Sequence, residues 1–116
     1  MPLPPSSAMT ELRRGVVEYC VLALLEVEDR YGFDLVRTMS AMGGLVTSQG
    51  TVYPLLNRLK ESRLVSTSWR PGTGDRARKY YQLTAEGSLA LARFRSEWRT
   101  FREMVELVLF PAGELR

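Results

Sequence analysis

The sequence predicts an α+β fold, mainly α with a small β-hairpin, on three observations. Two apolar segments of helical character, 16–25 and 33–39, occupy the N-terminal part of the chain. Residues 48–84 then read as a helix running into two strand-like runs joined by a turn that carries Gly72 and Gly74. After Thr84, a long run places apolar residues at alternating intervals of three and four. With 116 residues and 45% hydrophobic content, the chain has material for one small core and little to spare.

Residues 1–8, rich in Pro and Ser, are predicted to be a flexible tail. The first helix is predicted over 10–27, with Thr10 as N-cap and Glu11 in the first turn. Its segment 16–25 is apolar except for Glu18, so neighbours must cover most of its sides, and Cys20 reads as core. A second helix from about Tyr31 buries Phe33 or Leu35 with Val36 and Met39, and Gly43-Gly44 supplies its stop. The third helix has an ambiguous start. Ser48 resembles an N-cap, yet Pro54 would then lie past the first turn and free the carbonyl of Gly50. A tight turn at 48–50, with regular helix from Gly50 or Thr51 to about Ser62, removes that objection.

That third helix has Val52, Leu55, Leu56 and Leu59 on one face and Thr51, Tyr53, Asn57, Arg58 and Glu61 on the other. The strands are predicted over 64–70 and 79–83, joined by Pro71, Gly72, Thr73, Gly74 and Asp75 and followed by Arg76 and Arg78. Trp69, Tyr80 and Tyr81 read as anchors of this hairpin to the helices. A helix that offers side chains to a groove, beside a hairpin that reaches the flanking backbone, is the arrangement of a winged helix-turn-helix on DNA.

Charge supports that partner. From Gln49 to Thr84 there are seven basic residues against two acidic ones, a net +5, whereas the whole chain is +3. The same composition argues against catalysis and metals: there is no histidine and a single cysteine, with no Gly-rich phosphate loop and no nucleophile beside a base. No cofactor is expected. The longest apolar run, 19–25, is far below the ~20 residues of a membrane span, and 1–9 lacks a signal peptide's basic start, so a cytoplasmic protein is expected.

The last helix is predicted from about Thr84 to Leu109, ended by Pro111 and Gly113. Leu91, Phe94, Trp98, Phe101, Val105 and Val108 form a heptad seam between charged residues. A chain of this size has no second long helix to cover the seam, so a homodimer through it is expected, although packing on the first helix of the same subunit can coexist. The predicted division is a tail at 1–8, a winged helix-turn-helix domain at 9–84 and a dimerisation helix at 85–116.

These residues resemble the PadR-type transcriptional regulators, specifically the short members with one C-terminal helix. The resemblance covers most of the chain and rests on VLALLEVEDRYGFDLV, TVYPLLNRLKESRLV, WRPGTGDRARKYYQLT and the AEG that opens the last helix. It implies a homodimeric repressor on a pseudo-palindromic operator of double-stranded DNA, released by a small-molecule effector. Ser62-Arg63 departs from the pattern, since many relatives end the third helix with a glycine.

The expected DNA contacts are Ser48, Gln49, Thr51, Tyr53, Asn57 and Arg58 on the third helix, with Arg76, Arg78 and Lys79 on the wing. The plainer alternatives are a solvated helix face with Arg58 or Lys60 paired to Glu61, and wing charges that only deter edge pairing. The resemblance puts a tryptophan beside its symmetry mate at the position of Trp98, where Phe94 and Phe101 would help sandwich a planar aromatic effector; simple filling of the seam is the alternative. A competing function from another class is a winged-helix module that holds an acidic protein partner without DNA.

Overall fold

The structure, a computed structural model, describes residues 12–42, 49–72, 74 and 76–112, with Gln49 described through its backbone alone. Readings that concern the tail, Thr10, Gly43-Gly44, Ser48, Thr73, Asp75 and Gly113 lie outside these residues. The elements run α1 (Val17–Val27), β1 (Arg30–Tyr31), α2 (Gly32–Ala41), α3 (Gln49–Glu61), β2 (Val65–Pro71), β3 (Ala77–Leu83) and α4 (Ala85–Leu109). This is the mainly helical α+β winged helix that the sequence predicts, with corrections at several points.

The first helix is not continuous. Residues 12–14 are helical, Gly15 and Val16 turn, and α1 begins at Val17. A glycine inside a helix costs about 1 kcal/mol relative to alanine, and the turn forms there, closed by the Val16 N–H donating to the Arg13 carbonyl at 2.9 Å. Beyond it, α1 buries Val17, Val21, Leu22 and Leu25. On α2, Leu35 rather than Phe33 joins Val36 and Met39 in the core, and Phe33 is exposed.

α3 opens at Gln49, not after a tight turn ending at Gly50, so Pro54 sits within the helix. The freed Gly50 carbonyl belongs to an exposed residue, where solvent can satisfy it. Val52, Leu55, Leu56 and Leu59 are buried as the spacing predicts, and with Val65, Tyr81 and Leu91 they complete one core. α3 ends in a Schellman motif: the Leu64 N–H donates to the Leu59 carbonyl at 2.9 Å and the Arg63 N–H to the Lys60 carbonyl at 3.0 Å. Arg63 adopts φ 64°, the left-handed position that glycine favours.

The sheet has three strands rather than two, in the order β1-β3-β2. Arg30 and Tyr31 pair antiparallel with Tyr81 and Tyr80. A two-residue strand leaves no periodicity to read. The hairpin itself pairs Val65 with Leu83 through Pro71 with Ala77, so Arg78 lies within β3 instead of at a loose tip.

Thr84 caps α4, its hydroxyl accepting from the Gly87 N–H at 2.9 Å and donating to the Arg63 carbonyl at 2.7 Å. A Cβ on Gly87 would collide with the Leu64 carbonyl, so only glycine lets the helix lie this close to the turn. Leu91, expected in a subunit contact, is instead 2% exposed inside the chain's own core. Phe94 stacks on Tyr19 of α1 with centroids 4.0 Å apart and planes within 2°.

Candidate nucleic-acid interface

α3 presents Thr51, Tyr53, Asn57 and Arg58 on its exposed face because its apolar residues claim the opposite one. Tyr53 lies against Gly32 at the start of α2, and a Cβ there would meet the Tyr53 ring at 2.5 Å. Arg58 pairs with Glu18 of α1 at 3.8 Å, not with Glu61. The ion pair is long and its arginine is 61% exposed, so the guanidinium remains open to another partner.

The wing's cations divide between two faces of the sheet, since side chains alternate along a strand. On the outer face, Arg78 stacks over Tyr31 at 4.5 Å, and Tyr31 meets Tyr80 at 5.6 Å. Arg70 covers Tyr80 at 4.6 Å and donates to Asp29 at 2.7 Å, while Gln82 donates to the same carboxylate at 3.3 Å. On the inner face, Lys79 stands over Tyr81 at 5.7 Å and pairs across the strands with Trp69. Arg76 is exposed where β3 begins. The structure therefore brings Tyr53, Lys79 and Arg78 to one cleft between α3 and the wing, Arg78 held there by its stack on Tyr31, whereas Arg76 lies apart from it at the start of β3.

Trp69 is not the hairpin anchor that the sequence suggests. It is 69% exposed, whereas Tyr81 at 4% does that work from the neighbouring strand. Burial, and secondarily the Tyr53 phenol, push the Tyr81 hydroxyl's pKa upward, so it stays protonated at neutral pH. Burial likewise pushes the Cys20 thiol upward, which favours the thiol over the thiolate.

Sequence reasoning missed Arg30. Its side chain, 14% exposed, donates to Asp34 at 3.1 Å and Thr38 at 3.3 Å and lies 3.6 Å from Glu28, which ties the end of α1 to α2. The acids Glu28, Asp29 and Asp34 that flank Arg30 were the available signal. Among the described residues no group of His, Cys, Asp and Glu could hold a metal, and no helix is long and apolar enough to cross a membrane.

Residues 21–93, which span α3 and the whole wing, match the model of the transcriptional regulator PadR-like family. The chain belongs to the PadR-like family. Among solved structures it is similar to a PadR-family transcriptional regulator from Eggerthella lenta, at 36% identity and a TM-score of 0.81, covering 92% of this chain and 93% of that one. A PadR-like transcriptional regulator from Bacillus cereus is 28% identical with a TM-score of 0.79, over 88% and 99% of the two chains. A Streptococcus transcriptional regulator is 34% identical with a TM-score of 0.77, over 84% and 95%. These relatives are regulators and not enzymes, and a PadR-like winged helix implies DNA as the partner.

Proposed function

We propose that this PadR-like regulator is a homodimeric, sequence-specific repressor that acts in the cytoplasm on a pseudo-palindromic operator. The observation that carries the reading is the exposed face of α3, with Thr51, Tyr53, Asn57 and Arg58, set beside the cationic wing. Ser48 and Gln49, next in sequence before Gly50, and Arg76 of the wing complete the proposed contacts. Asn57 and Arg58 reach base edges, while the hydroxyls of Thr51 and Tyr53 meet phosphates. Residues 9–84 form the DNA-binding unit. Residues 85–116 join the subunits, setting two copies of α3 about 34 Å apart, one turn of the duplex.

Trp98 is 38% exposed and Phe101 57% exposed on the part of α4 that leaves the head, which supports a subunit contact there, continued by Val105 and Val108. A planar aromatic effector held by Trp98, Phe94 and Phe101 between the subunits would alter the spacing of the two heads and release the operator. Fluorescence anisotropy with duplex from upstream of the protein's own gene tests the first step. Wild type is expected to bind, and Arg58→Ala to bind at least about tenfold more weakly at fixed salt. Equal affinity would remove Arg58 from the interface, and no binding to any duplex would favour an acidic protein partner.

A further inference from the structure

Between α3 and the wing lies an open cleft of about 210 Å³ that the assigned contacts leave unexplained. Tyr53 lines it from α3, Gly32 and Phe33 from α2, Tyr31 from β1, and Trp69, Arg78, Lys79 and Tyr81 from the wing. Three aromatic side chains are open to solvent here: Trp69 at 69%, Phe33 at 48% and Tyr53 at 38%. A cluster of exposed rings beside a cation is costly to keep in water and needs an occupant with both an apolar and an anionic part. The cleft's position indicates which one. If α3 occupies a major groove and the wing reaches the adjoining minor groove, the strand that separates those grooves must pass between them, through this cleft.

We propose that the cleft seats one sugar-phosphate unit of that strand, with Trp69 and Phe33 packed on the deoxyribose and the Lys79 ammonium on the phosphate. The inference rests on the DNA-binding reading above and adds an apolar backbone contact that fixes the tilt of α3 without reading sequence. The Tyr53 hydroxyl donates a second hydrogen bond to the phosphate. Gly32 keeps the cleft open, because a side chain there would push the Tyr53 ring off its seat and into the space.

The contact has a thermodynamic signature. An apolar side chain on a sugar releases no counterions, whereas a lysine on a phosphate does. Trp69→Ala is therefore expected to weaken binding to the upstream duplex and to a random duplex by the same factor, roughly fivefold. Its slope of log affinity against log salt should match wild type. Lys79→Gln should flatten that slope by about 1. In the full chain labelled with 5-fluorotryptophan, the fluorine signal assigned by Trp69→Phe should shift and lose its solvent isotope effect when duplex is added. Retarded DNA with an unmoved Trp69 signal, or wild-type affinity in Trp69→Ala, would overturn the inference and leave the regulator reading intact. Protection of Trp69 that grows with protein concentration without DNA would overturn it in favour of a contact between copies. A protein that retards no duplex would overturn the parent reading and this one with it.

Discussion

Residues 85–95 and 96–109 belong to one helix with one heptad pattern, yet they occupy different surroundings. In the first part, Gly87 lies against the Leu64 carbonyl, Leu91 fills the core, Phe94 stacks on Tyr19 and Arg95 forks onto Glu26. In the second, Trp98, Phe101, Met104, Val108 and Leu109 run along the helix with 38–79% of their surface exposed. The apolar stripe is continuous across the division, and Phe94 touches Trp98 at a centroid distance of 6.2 Å. A heptad pattern states that a face must be covered and says nothing of which surface covers it. Here α1 covers the first turns, and the proposed second subunit would cover the rest.

The largest difference should come from paired substitutions on the two sides of Arg95. Leu91→Ala removes a fully packed side chain and is expected to cost about 2–5 kcal/mol of unfolding free energy in urea. Phe101→Asp is expected to leave the dilute protein's far-UV circular dichroism unchanged while sedimentation shows the loss of the proposed dimer. The comparison breaks if Leu91→Ala leaves the urea midpoint in place, or if Phe101→Asp unfolds the head.

How much of this was legible depended on whether a residue's fate is set by neighbours in the chain. α3 was legible because Val52, Leu55, Leu56 and Leu59 need only helical spacing to define an inner face, and the structure buries all four. The start of α4 was legible for a similar reason, since Glu86 in the first turn is a local signal, although the cap by the Thr84 hydroxyl was read only from the structure. Leu91 was misassigned because its partner, α1, is ~70 residues away along the chain and only packing brings the two together. Trp69 was misread for the opposite reason: strand alternation gives it a face, but the end of that face lies beyond the core. Arg78 and Arg76 look equivalent in sequence, and only β1, which carries Tyr31, separates a stacked guanidinium from an exposed one.

A smaller effect is expected where the attached part of α4 begins. Arg63 holds a left-handed backbone so that its carbonyl can accept from Thr84 at 2.7 Å. A side chain there costs roughly 1–2 kcal/mol, part of which glycine's greater unfolded-state freedom offsets. Arg63→Gly is therefore expected to raise unfolding free energy by about 0.5–1 kcal/mol, with no change in self-association. A neutral or lower value would mean that the motif's hydrogen bonds already compensate for the strain.

The smallest effect belongs to the last tie before the helix leaves the head. Arg95 donates to Glu26 at 3.0 and 3.3 Å, but the two side chains are 49% and 43% exposed. Water and salt therefore screen the pair, and Glu26→Gln is expected to lower the urea midpoint only slightly, by less than Leu91→Ala or Arg63→Gly changes it. Because the Debye length falls to about 3 Å near 1 M salt, wild type and variant should converge there. The Tyr19–Phe94 stack, being apolar, should hold the helix in place in either protein. A difference that persists at high salt would show that Glu26 positions the helix through packing of its methylene groups, and would move the boundary between the two parts from Arg95 toward Trp98.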